Sequence, residues 1–193
     1  MNNIKSVAIV LLVSLLAGCA VTATNTYQAA GKTLLCEPGR KLGKVVVLPE
    51  AVWRKDQKES EIRKIMALVE LEKAFTSLPC GSMDSPGGLK GFDNWSDMPE
   101  SVLVKHFTDE GADTIILIRI EELTPRLEIT WSLPFLWSGS SEADFRVRAI
   151  DTKSGAILTD MRIKRSRGGP FNIRPADWAQ QEFAAALQAV IGP

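Results

Sequence analysis

Hydrophobic patterning predicts an α/β sandwich: a mixed, largely antiparallel sheet with helices packed on it. Three observations carry this expectation. Two segments alternate apolar and polar residues: Leu127, Ile129, Trp131 and Leu133 against Glu128, Thr130 and Ser132, then Ala143, Phe145, Val147 and Ala149 against Asp144, Arg146 and Arg148. Alternation of period two marks a half-buried strand, because successive side chains point to opposite faces. Residues 45–48 form a short β-branched run that suits a buried central strand, and 114–120 is the strongest strand pattern in the chain. Segments with helical spacing lie between and after these runs, with no internal repeat.

The chain begins with a processing signal. Lys5 supplies a basic start, and residues 7–17 form an apolar run of signal-peptide rather than membrane-spanning length. Leu16-Ala17-Gly18-Cys19 closes it, with small residues where a peptidase must approach the backbone and a thiol that can take a diacylglycerol. This stretch resembles the lipobox of bacterial lipoproteins. The resemblance implies cleavage after residue 18, lipidation of Cys19 and, because Ala20 rather than Asp follows, an outer-membrane address at its periplasmic face. Residues 19–43 hold Thr, Asn, Gly and Lys with little periodicity and read as a lipidated flexible tether. Residues 44–193 then form a single periplasmic domain.

Within that domain the strand at 45–48 is expected to stop at Pro49. A helix over 58–78 follows, with Ile62, Ile65, Met66 and Val69 on one face and Leu68, Leu71, Phe75 and Leu78 roughly half a turn round. Such a helix is either covered from two sides, by the sheet and by a neighbouring element, or broken near its middle, and two-sided cover is the expectation. Residues 81–98 contain closely spaced Gly, Ser and Pro and read as a loop. Pro99 suits a first helical position and Gly111 a helix end, with Leu103 and Phe107 one turn apart and facing the core. Asp151-Thr152-Lys153-Ser154-Gly155 is a hairpin turn in which Gly155 supplies a positive φ. The last helix runs over 175–191, with Ala179, Phe183, Ala186, Leu187 and Val190 on one face and Gly192 at its end.

Composition narrows the chemistry. Lys plus Arg and Asp plus Glu both number 23, so no global field draws the chain to nucleic acid. With 45% hydrophobic and 24% charged residues it is an ordinary globular composition. Beyond Cys19 there are two cysteines, Cys36 and Cys80, for which an oxidising compartment makes a disulfide plausible. Closing a loop of about 45 residues contributes roughly 4 kcal/mol in the chain-entropy model. His106 is the sole histidine and no Cys-x-x-Cys pair occurs, so neither a metal site nor a cofactor is expected.

The order of elements resembles the small α/β domain shared by the curli-export lipoprotein, the Pel-polysaccharide-export lipoprotein, the lipoprotein activator of a penicillin-binding protein and the amino-terminal domain of TolB. Lys44-Val45-Val46-Val47-Leu48-Pro49, Glu110-Gly111-Ala112-Asp113-Thr114-Ile115-Ile116 and Ile150-Asp151-Thr152-Lys153-Ser154-Gly155-Ala156-Ile157-Leu158 carry the resemblance over roughly residues 44–191. It implies a non-enzymatic envelope protein that docks or assembles with partners. No long membrane-spanning strand extension is evident, which sets the chain apart from the curli pore.

Two further segments are candidates for contact. Trp131, Phe135, Leu136 and Trp137 surround Pro134 in a stretch with no charge between Glu128 and Glu142. As a hairpin tip it suits either the core or an interface with membrane or another subunit, since an indole is apolar with one polar edge. Arg162, Lys164, Arg165 and Arg167 form a basic segment, read either as a solvated strand face or as contact with an acidic surface. The sequence reading is therefore a lipid-anchored binding or assembly subunit with envelope partners, self-association included. Its alternatives are a periplasmic hydrolase with a site in the 81–98 loop, or a lipid or glycan carrier.

Overall fold

The computed structural model describes residues 21–31, 33–53, 60–83, 95–130, 136–170 and 177–192. The strands are β1 (Val21–Gly31), β2 (Gly43–Ala51), β3 (Gly81–Met83), β4 (Thr114–Thr130), β5 (Leu136–Asp151) and β6 (Ile157–Pro170). The helices are α1 (Ser60–Thr76), α2 (Glu100–Asp109) and α3 (Asp177–Ile191). One open six-stranded sheet has the order β1-β6-β5-β4-β2-β3. β2 runs parallel to β3 and β4, and every other pairing is antiparallel. This is the mixed, largely antiparallel sheet with packed helices that the patterning predicts.

The continuous apolar runs have a direct cause: the central strands are covered on both faces. Val45 and Val47 of β2 and Ile116, Ile118 and Ile120 of β4 enter a large core beneath α1 and α3. Val46, Leu48, Ile115 and Leu117 enter a smaller core beneath α2, with Leu103 and Phe107. Farther across the sheet only the first face is apolar, so β5 alternates Ala143, Phe145, Val147 and Ala149 inward with charged residues on the other face. Phe145 meets Phe183 of α3 edge to face at 4.9 Å. Leu35 and Cys36 donate backbone hydrogen bonds to the carbonyls of Val190 and Ile191, which satisfies the end of α3. Cys36 is joined to Cys80, tying that segment to the start of β3. Gly155 turns β5 into β6 at φ +68°, and Gly111 ends α2 at φ +80°.

Four details differ from the sequence reading. Residues 21–31, within the expected tether, form β1, paired antiparallel to β6 from Val21 opposite Gly168 to Gly31 opposite Thr159. An edge strand that buries almost no side chains needs no hydrophobic pattern, so none was there to read. β2 continues through Pro49 to Ala51. β3 pairs only with Gly43–Val45, so farther along that edge a residue without an N–H sacrifices no ladder bond. The strand pattern that begins at Leu127 is not separate, because β4 runs from Thr114 to Thr130; residues 131–133 of that pattern lie outside the described residues. Finally, among the described residues α1 is covered on one side only. Ala67, Leu71, Ala74 and Phe75 are buried, whereas Ile62 and Ile65 are 57% and 61% exposed.

Candidate functional site

Beyond the edge of α2, the second face of the sheet changes from apolar to charged. The pleat places Asp144, Arg146 and Arg148 of β5 beside Asp160, Arg162 and Lys164 of β6 on this face, with Arg119 and Glu121 of β4 next to them. Arg146 lies directly opposite Arg162 in the ladder, a pairing that repels. Both side chains resolve it by leaning along the strands in opposite directions. Arg146 donates Nε and Nη2 to Asp160, each at 2.7 Å, and Arg162 donates to Asp144 at 2.8 and 2.9 Å. Arg148 also donates to Asp160, at 2.9 and 2.6 Å, and reaches Glu100 at the start of α2 at 2.6 Å. Lys164 pairs with Glu142 at 2.8 Å and Arg162 with Glu121 at 2.6 Å.

The carboxylates of this ladder lie at its base and the cations over them. Asp160 is 1% exposed and Asp144 4% exposed. Burial pushes the Asp160 carboxyl up, but the hydrogen bonds from Arg146 and Arg148 outweigh it and hold the group below its ordinary value. For the same reason Arg148, although partly desolvated, stays charged with its pKa raised by Asp160 and Glu100. The hydrogen bond to Asp144 raises Arg162 likewise.

Where this ladder meets α2 there is a cleft of about 260 Å³. Trp95, Ser96, Met98 and Glu100 form one wall, Leu103 and Leu117 the apolar floor, and Arg119, Arg146 and Arg148 the other wall. Arg119 is the cation there without a close counter-ion among the described residues. Its Nε is 4.0 Å from Glu121, beyond hydrogen-bond range, and has no hydrogen-bond partner. The indole Nε1 of Trp95 is also unpartnered. Nearby Glu50 accepts from Ser96 Oγ at 2.7 Å through one oxygen, and its other oxygen has no partner. Buried polar atoms are normally satisfied, so this concentration of unsatisfied groups distinguishes the cleft from the fully paired ladder beside it.

Of the residues singled out from sequence, Arg162 and Lys164 belong to this ladder and the others fall elsewhere. Cys19, Trp131 and Phe135 lie outside the described residues. Leu136 and Trp137 open β5, with their backbones opposite Thr130 and Ile129. Arg162, Lys164, Arg165 and Arg167 alternate along β6, which divides them between the two faces. Arg165 donates to buried Glu182 of α3 at 2.6 Å, and Arg167 lies 3.8 Å from the same carboxylate and 5.2 Å from the ring of Trp178. His106 is exposed, 3.4 Å from Glu110. The 81–98 loop contains β3 and a single turn of 3₁₀ helix at Trp95–Asp97, and its residues 84–94 lie outside the described residues. Sequence reasoning missed Arg119, Glu100, Trp95 and Asp160. Arg146 and Arg148 were visible as polar positions of an alternating strand, but alternation alone does not separate a solvated face from an ion-paired one.

No family model matches the chain, and no curated protein matches it. Solved structures similar to it include the PelC dodecamer from Paraburkholderia phytofirmans, at 14% identity and TM-score 0.47, covering 89% of this chain and 99% of that one. Lipoprotein GNA1162 from Neisseria meningitidis is similar at 12% identity and TM-score 0.43, covering 74% of this chain and 94% of that one. A homolog of a neuraminyllactose-binding hemagglutinin from Helicobacter pylori is similar at 16% identity and TM-score 0.40, covering 86% of this chain and 88% of that one. At these identities and scores the likeness says nothing of activity or partner. The similar structures thus include a bacterial lipoprotein.

Proposed function

We propose that this chain is an outer-membrane lipoprotein, anchored at Cys19, that acts by binding as an assembly subunit of an envelope export, polysaccharide-export or cell-wall machine. Kinship with the curli-export, penicillin-binding-protein-activator and TolB domains is part of the same reading. The observation that supports it most is the strand register at one end of the sheet. Val21, two residues after Cys19, stands opposite Gly168, which is level with Ser140 and Arg126. β4 and β5 continue past that level to Thr130 and Leu136, roughly 14 Å farther. Chain geometry keeps Cys19 within about 7 Å of Val21. In this reading the acyl anchor enters at the end of the sheet where β6 and the β4–β5 pair finish, and that end faces the membrane. In this reading the uncharged Trp131, Phe135, Leu136 and Trp137 reach the headgroup region as a second contact. Among the described residues no helix is long and apolar enough to cross a membrane.

Metabolic labelling with a fatty acid tests the anchor. The native chain takes up label and is processed to begin at Cys19, whereas Cys19→Ser, unable to form the thioether, stays an unlabelled precursor. Label retained on the Ser variant refutes the anchor and with it this reading.

A further inference from the structure

We propose that the cleft between α2 and the charged face is a binding site for an aliphatic carboxylate, of the kind presented by the C-terminal residue of a peptide. The charge balance sets the ligand's sign. The lining holds three guanidiniums, Arg119, Arg146 and Arg148, against one carboxylate, Glu100; Asp160 engages Arg146 and Arg148, and buried Glu50, outside the lining, is held by Ser96 through one oxygen. The carboxylate nearest Arg119, Glu121, lies 4.0 Å away and is held by Arg162 at 2.6 Å. Among the described residues Arg119 thus makes only this long contact with Glu121, and its planar fork matches a carboxylate through two parallel hydrogen bonds.

The walls set the body of the ligand. Leu103 and Leu117 are both 3% exposed and form an aliphatic floor, with Met98 at the rim. Trp95 packs against the second core, so its ring is a wall rather than an open platform on which a sugar could stack. A space of about 260 Å³ holds one amino-acid-sized group, being the share of about eight or nine liquid waters. Arg119 and Trp95 thus place unsatisfied donors in the walls, and a carboxylate brings the acceptors.

The test follows the indole signal of Trp95 by NMR in the lipidated protein in detergent micelles, labelled with ¹⁵N at the five tryptophans and assigned with Trp95→Phe. N-acetyl-leucine should shift that signal saturably. N-acetyl-leucinamide, with the same body and no charge, should bind about tenfold more weakly or less, and Arg119→Gln should weaken N-acetyl-leucine by about tenfold or more. Arg119→Lys, which keeps the charge but loses the fork, should weaken it as well, and thermal melts establish that each variant is folded. No saturable shift, equal binding of the amide, or full affinity in folded Arg119→Gln overturns the proposal. Tighter binding of glucuronate or inorganic phosphate than of N-acetyl-leucine also overturns it, since the cleft then serves another class of anion.

Discussion

Asp160 shows how much one residue of this sheet depends on its neighbours. Its carboxylate accepts from both Arg146 and Arg148 and is nearly sealed from water. Burial raises its pKa, and the two guanidiniums lower it further than burial raises it. The folded-state value is therefore depressed, so this contribution to stability is complete above the unfolded value near pH 4 and is lost as pH falls through the folded value. Asp160→Asn keeps the shape and removes the charge, leaving two guanidiniums facing a neutral amide. It is expected to cost about 2 kcal/mol or more at pH 7. In urea melts the gap between variant and native protein should close as pH is lowered below 4. A gap unchanged across that range refutes the assignment. Nothing in Thr159-Asp160-Met161 announces this role in the sequence, because the partners lie 14 and 12 residues away and meet only through the β5–β6 register.

Among the elements, α1 carries apolar residues that this fold does not bury. On α1 the exposed row is Ile62, Ile65 and Val69, one face of the helix pointing away from the sheet. Ile65→Lys should change stability by no more than about 0.5 kcal/mol. A loss of 2 kcal/mol or more in the monomer would mean that the face is covered. The hairpin makes the opposite kind of test, since its end extends past the level of Val21. At a membrane-facing end, Trp137→Ser should leave Tm nearly unchanged and weaken liposome flotation of an unlipidated chain by about 1 kcal/mol, the scale of one aromatic anchor. A large fall in Tm with unchanged flotation shows Trp137 to be a packing residue, for which truncation costs roughly 3 kcal/mol.

For the whole molecule, the two sheet edges are unequal. β3 is a three-residue strand, whereas β1 offers eleven residues with no charge and no proline. Edges of that kind invite another strand. The strand it covers, β6, is lined with Arg162, Lys164, Arg165 and Arg167 and is poorly suited to self-pairing. Deleting residues 21–31 should therefore leave a folded chain, because β1 buries few side chains, with Tm lower by roughly 5 °C, equivalent to about 1 to 2 kcal/mol. Self-association measured by sedimentation should fall with it. Unchanged association in the deleted chain rules out β1 as the surface through which copies meet. An unfolded product would show that β1 contributes more than its exposed side chains indicate.

The sequence by itself determined the lipobox pattern, the sheet-with-helices class, the buried strand at 45–48 and the strong strand at 114–120, the turn at Gly155 and the core faces of α2 and α3. These are local signals: a period of two or of 3.6, a cap, a glycine at positive φ, each written within a few consecutive residues. The tertiary structure decided the rest. It recruited 21–31 into the sheet, where pairing uses the backbone and asks nothing of side-chain pattern. It left one face of α1 bare, because a helix's own periodicity states which faces are apolar and not which of them another element covers. It also converted the polar stripe of β5 into an ion-paired ladder and left Arg119, among the described residues, with only a 4.0 Å contact to Glu121 beside a cleft. Strand register and the short reach of α2 across the sheet produced that outcome, and both are set by contacts between residues far apart in the chain.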